Sequence, residues 1–352
     1  MSNARKLADN LPIDGQIGIG RNMLINGSMQ VTQRNSSVTG IGASGSAYIT
    51  HDRWKIKANN TAGRFTMEQS TDAPSGFTNS LKFSCTTADT SIAADEELRL
   101  SQHIEAGSCA RTMTGTSDAK QITLSFYAKA DSTKTYVAQI LNNKHSGYIH
   151  NNRTFTVTSS WQRFEMTFQA DTTADSEFDG TLTDAGFSLS FYLHAGSDFT
   201  SATLASDWAT GTTNRAAGTQ SFFSSTNNRF YLTGCQLEVG PQSTPFEHEP
   251  YETTLRKCQR YFQYLVHTGL GIGSAHAANA WNYQPLSHAV YMRATPTVTY
   301  TVSNEGTWGG AATAKGLSAR NEHWTQIYHK ASGANLDLYL GSPLNLTLDS
   351  EL

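Results

Sequence analysis

Glu247-His248-Glu249 is the tightest run of metal-capable side chains in the sequence. Successive residues of an extended chain point to opposite faces, so the three do not converge on one ion. The densest acidic cluster is Asp171, Asp175, Glu177 and Asp179 in DTTADSEFDG. Calcium takes carboxylate and carbonyl oxygens, but this spacing matches no calcium-loop pattern, so calcium stays open and no cofactor is assigned. Nucleophilic chemistry finds no better footing. Gly42-Ala43-Ser44-Gly45-Ser46 has serine where a nucleophile elbow needs its second glycine. GQIGIGRN and GLGIGSAH lack the lysine of a phosphate-binding loop. A glycosidase needs two carboxylates at a set separation, and no pair stands out. The sequence therefore reads as a protein that is not an enzyme.

Aromatic rings among amides and small residues point instead to saccharide binding, in which sugar C–H faces lie on rings and hydroxyls pair with polar side chains. The candidates are Trp308 in EGTWGG, Trp324 in NEHWTQIYH, Trp281 and Tyr283 in NAWNYQP, and Trp208 in a long Ser/Thr/Gly-rich stretch. Trp54 and Trp161 read as core or sheet-edge packing.

The elements that must position these rings are strands. Ile122, Leu124, Phe126 and Ala128 alternate with polar residues, as do Phe164, Met166 and Phe168, and Phe187, Leu189, Phe191 and Leu193. Leu81, Phe83 and Cys85 do the same, with Leu98 and Leu100 around Arg99. Such a period of two gives strands with one buried face and one wet face. In 230–239 the phase slips at Gly234, which predicts a bulge. Residues 195–228 lack alternation and read as a long surface loop. Tyr251, Leu255, Cys258, Phe262 and Leu265 share a helical face, and Pro250 suits a helix start, so one helix is expected over about 251–265. Beyond it, Val298, Tyr300 and Val302, then Leu336, Leu338 and Leu340, then Leu344, Leu346 and Leu348 return to strands. The fold class is all-β: an antiparallel jelly-roll sandwich, one connecting helix, then a second, smaller β domain. Its expected limits are 1–20 for an N-terminal peptide, 21–250 for the jelly roll, 251–266 for the helix and 267–352 for the C-terminal β domain.

The charge balance narrows the partners. The 352 residues carry a net charge of -3, and only 16% are charged. A nucleic-acid binder would show a basic balance, so nucleic acid is not an expected partner. No run approaches the roughly 20 apolar residues of a membrane helix, which argues against membrane insertion. The N-terminus has no apolar core of a secretory signal, which predicts a chain made in the cytoplasm. Cys85, Cys109, Cys235 and Cys258 form no CxxC pair and read as free buried thiols.

Four stretches together resemble bacteriophage tail-fibre and related virion proteins that carry a carbohydrate-binding-module-like jelly roll. RNMLINGSMQVTQRN (21–35) looks like the opening strand of such modules, and HDRWKI (51–56) like the motif that follows it. ITLSFYAKAD (122–131) with SSWQRFEMTF (159–168) looks like their paired core strands. LTGCQLEVGPQSTPFEHEPYETTLRKCQRYFQ (232–263) resembles their closing strand, turn and helix, and MRATPTV (292–298) the start of a small C-terminal β domain. Cys235 and Phe262 depart mildly from the pattern. The resemblance implies a virion location and a homotrimer. It implies a tail-fibre-like appendage that docks on other phage tail or capsid proteins through residues 1–20, with Arg5, Lys6, Leu7, Leu11 and Ile13 as docking residues. The distal β domain would then take host surface polysaccharide for host attachment. The alternative is a purely architectural virion protein, such as a tail adaptor, head fibre or decoration subunit, with no receptor role.

Overall fold

Alternating apolar residues commit each strand of the N-terminal unit to two faces, and two sheets bury their apolar faces against each other. The computed structural model describes residues 20–178, 183–267, 270–275, 279, 281–302, 312–331, 336–340 and 344–352. The chain divides into two compact units, Met1–Tyr251 and Glu252–Leu352.

In the first unit one layer runs β7 (His150–Val157), β6 (Lys134–Asn142), β9 (Ala185–Ala195), β4 (Glu97–Glu105) and the first half of β2 (Lys55–Ser70). The other layer runs the second half of β2, then β3 (Ser80–Thr87), β10 (Arg229–Val239), β5 (Ile122–Ala130) and β8 (Gln162–Phe168). The long β2 passes between them, pairing Lys55–Asn59 with β4 and Arg64–Ser70 with β3, while β1 (Ser37–Tyr48) follows its free edge. All pairs are antiparallel, the arrangement of a jelly-roll sandwich. Between the layers Phe126 meets Phe155 and Phe191 at 5.0 Å, and Tyr136 meets Phe230 at 5.4 Å. Trp54 is fully buried among them and donates its indole N–H to Asn26 O. The four cysteines are buried and none is in a disulfide.

The expected bulge is present: Thr233 pairs with Tyr127 and Gln236 with Ser125, so Gly234 and Cys235 stand out of the ladder. Gly234 has φ +61, a conformation that suits glycine. The opening strand expected within 21–35 does not form. Asn26 and Met29 take positive φ of 58 and 57, which bends the chain out of the extended region. Segment 22–27 nonetheless does a strand's work beside the bulge. Met23 N–H donates to Leu237 O, Cys235 N–H to Gly27 O, and the Asn22 amide bonds both Leu237 N–H and Cys235 O. A Cβ on Gly27 would overlap Cys235 O, so this close approach needs glycine. The buried Asn26 amide accepts from Gln30 and Val31 N–H and donates to Val31 O and Asp52 O.

The helix Tyr251–Gln259, which leads into the second unit, ends six residues before the expected limit. Residues Phe262–His267 form β11 instead and pair with β18 (Leu344–Asp349), which also pairs with β14 (Thr297–Val302). Phe262 and Leu265 fit either period, and six ladder positions outweigh the helical preference of this aromatic-rich stretch. Gln263, fully buried, donates back to Gln259 O at the helix end and accepts from Ala289 N–H. Leu344, Leu346 and Leu348 are fully buried, and β12 (Leu270–Ala275) pairs with β17 (Leu336–Leu340).

Asn26→Ala would strand two N–H and two C=O groups in a dry interior. The expected loss is about 3 kcal/mol, checked by urea unfolding, since each unsatisfied buried group costs ~1–3 kcal/mol and some will rebond. A loss under ~1 kcal/mol would show that the segment is not the clamp described here.

Candidate functional site

The outward face of the β2–β4–β9–β6 layer carries the polar partners of the buried alternation. Register sets them in rows across the strands. Lys55, Ser101, Ser190 and Gln139 form one row. Lys57, Arg99, Tyr192 and Val137 form the next, and His103, Ser188 and Leu141 a third. A bulge in β9 lies beside the second row, since Leu98 pairs with His194 but Arg99 with Tyr192.

Part of this face is roofed. The segment from α2 (Ser197–Thr200) to Thr219 folds back over β6 and β9, where Phe199, Leu204 and Ala216 pack with Val137 and Tyr192. Arg215 Nη2 donates to Gln139 Oε1 at 2.7 Å. The uncovered remainder is a cleft of about 570 Å³, within the range of ligand sites. Its floor is Lys55, Lys57, Arg99, Ser101, His103, Ser188 and Ser190. Its walls are Asn143, Gly147 and Tyr148 from the β6–β7 turn, and Gly211, Thr212 and Arg215 from the roofing loop. Tyr148 is 60% exposed at the rim.

The floor is preorganised by its own hydrogen bonds. Ser101 and Ser190 hydroxyls lie 2.9 Å apart. Asn143 Nδ2 donates to Ser188 Oγ at 2.8 Å, and the same hydroxyl shares a hydrogen bond with His103 Nδ1 at 2.6 Å. Burial, and then the charges of Lys55, Arg53 and Arg99, press the His103 pKa down to about 3, so its ring is neutral at physiological pH. Glu97, 1% exposed, lies 2.5 Å from Lys57 Nζ and 3.5 Å from Arg99 Nε. Arg99 Nη1 donates to Tyr192 Oη at 3.3 Å. Serine hydroxyls, an amide, cations and one exposed ring suit a polyhydroxylated ligand, and no carboxylate is among the described residues that line the cleft.

The sequence pointed to other residues. Trp281 and Tyr283 neighbour each other on β13 (Trp281–Ser287), 47% and 51% exposed, with rings stacked at 6.2 Å and 12°. Tyr328 of β16 (Trp324–Ala331) stands opposite Tyr283, with Lys330 over the Trp281 ring at 5.8 Å. Trp324 lies two rows further along the same face, opposite Ser287. The structure thus brings Trp281 and Tyr283 together on a ring-bearing sheet face of the second unit. Gly316 faces Tyr328 from β15 (Ala312–Ala319), where a Cβ would overlap the tyrosine hydroxyl. Trp208 lies in the first unit, half-buried, its indole stacked 6.0 Å from Phe187 and its N–H donated to Gln169 O. Trp54 is core and Trp161 a sheet-surface residue bonded to Asp72. Trp308, and Arg5, Lys6, Leu7, Leu11 and Ile13, lie outside the described residues. In the acidic run, Asp171 is buried and accepts from Asn142 Nδ2, and among the described residues no three metal-capable side chains converge. No helix among them is long and apolar enough to cross a membrane.

No protein-family model matches the chain, and no curated protein matches it. Several solved structures are similar at a low level. A CBM4 structure, 14% identical, covers 61% of this chain and 98% of its own, with TM-score 0.31. The enzymatically active domain of bacteriophage CBA120 tailspike protein 4 is 12% identical and covers 62% of this chain and 22% of its own, with TM-score 0.32. A family 11 carbohydrate-binding module from Clostridium thermocellum, complexed with a mixed-linked tetrasaccharide, is 14% identical and covers 56% and 91%, with TM-score 0.29. Likenesses this slight carry no argument below.

Three histidines, His51 and His150 buried and His103 half-buried, set an acid limit on the fold. Burial holds His51 at about 3 and His150 at about 4, beside His103 at about 3, against 6.5 for an exposed ring. Below that value the unfolded chain binds protons that the folded chain refuses, so stability is full above about pH 6.5 and declines as pH falls toward 4. The melting temperature is expected to drop steadily over that window, and an unchanged value at pH 4.5 would contradict neutral burial of these rings.

Proposed function

We propose that this protein is a non-catalytic glycan-binding subunit of a bacteriophage virion, with the cleft on the first unit as its principal saccharide site. The observation that carries the reading is the cross-strand array of Ser101, Ser190, Ser188 and Asn143 beside the exposed ring of Tyr148. It offers both donors and acceptors for sugar hydroxyls and a ring for a sugar face. The virion assignment rests on the resemblance of residues 21–35, 51–56 and 232–263 to tail-fibre and related proteins. In this reading the subunit is a homotrimer, residues 1–20 dock on tail or capsid proteins, and the second unit presents Trp281, Tyr283 and Trp324, with Trp308, as further saccharide contacts. A second reading, an architectural subunit with no receptor role, draws on the same exposed Trp281–Tyr283 face, which another virion protein would cover.

Two measurements test this. Full-length protein should bind host surface polysaccharide on an array, and Tyr148→Ala should weaken that binding about tenfold, as loss of a ring–sugar contact of ~1–1.5 kcal/mol requires. Equal binding by Tyr148→Ala would remove the cleft as the site. Sedimentation should give a trimer, and a monomer at micromolar concentration would favour the architectural reading.

A further inference from the structure

We propose that the saccharide taken by this cleft is anionic, a polymer whose sugars carry carboxylates; this rests on the glycan-binding reading of the same cleft. The chain as a whole is acidic, with a net charge of -3. The cleft runs against that balance. Lys55, Lys57, Arg99 and Arg215 line it, with no carboxylate among the described lining residues. Glu97, which is buried, faces Lys57 and Arg99. With Arg215 beside them, the positive charges of the cleft outnumber that carboxylate.

Two of the four cations are guanidinium groups, Arg99 and Arg215. A guanidinium fork matches a carboxylate with two parallel bonds, whereas a neutral hydroxyl uses one donor and gains nothing from the charge. Serine and asparagine suffice for neutral sugar hydroxyls, and the cations would be superfluous for them. Burial accounts for most of the lowered His103 pKa, and the charges of Lys55, Arg53 and Arg99 add to it in the same direction. Nucleic acid is the less favoured polyanion, since the lining offers one ring, Tyr148, and no succession of stacking platforms.

The test is affinity electrophoresis of the full-length protein in native gels containing pectate or alginate, their carboxyl-reduced forms, galactan, xylan or single-stranded DNA. Retardation by at least one acidic polymer is expected, lost when its carboxylates are reduced to alcohols and weakened by 0.5 M salt, on the order of what screening of exposed charges gives. Lys55→Gln on the cleft floor and Arg215→Gln on its wall should each weaken that binding about tenfold while melting as the wild type does, as loss of a charge-assisted bond predicts. Retardation by neutral polymers alone would overturn the anionic assignment and leave glycan binding standing. Retardation by DNA alone would overturn both, as would no retardation by any polymer. Acidic binding unaltered in both variants would also overturn the proposal, since it would place the anion elsewhere.

Discussion

The Asn22 amide is the clamp on which the first unit depends. Strand β10 lies between β3 and β5, but β3 pairs with it only as far as Leu232, so past the bulge Cys235 and Leu237 have one edge with no strand beside it. A buried backbone group without a partner is costly, so the irregular segment at 22–27 must supply what a strand would have supplied. Asn22 does so with one short side chain that accepts from Leu237 and donates to Cys235. Glu247 then holds that segment from outside, accepting from the N–H groups of Gly20 and Asn22, while Arg111 bonds Gly20 O and Arg21 O. Gln236 and Glu238 tie the following turn through Thr244 and the Glu247 N–H. Opening and closing stretches are thus one polar network, which explains why both carry a recognisable residue pattern without being a binding site.

With that frame fixed, the site follows from register. Each apolar residue driven inward sends a polar neighbour outward, so the cleft floor is the complement of the core. Its precision comes from rigid strands, and its closure comes from loops that reach over the sheet. Ser188 and Ser190 face away from the core yet are buried at the bottom of the cleft.

Much of the architecture was legible in the sequence. Strands β3, β4, β5, β8, β9, β14, β17 and β18 stood out by period two, and Gly234 announced its bulge by a slip of phase. Two features were read differently. The segment 21–35 has the composition of a strand but is bent by Asn26 and Met29, a choice made by partners more than two hundred residues away. The stretch after Gln259 satisfies a helical stripe and a strand alternation equally, and only the distant pairing with Leu344–Asp349 decides between them. The cleft residues were less visible. Arg99, Ser188 and Ser190 could be placed on the wet face from their neighbours, but nothing in one strand tells which residues of other strands share its row. Isolated tryptophans drew attention because they are rare, whereas the cleft uses common residues whose meaning comes from register alone.

The roof over β6 and β9 has a consequence for how such a molecule diverges. It is held by a small satellite cluster, Val137, Tyr192 and Ala216 with Phe199 and Leu204, separate from the main core. Changes in the length or composition of the Gly211–Arg215 wall therefore leave the packing of the main core in place, whereas the cleft floor, carried on β2, β4 and β9, changes only with the sandwich itself.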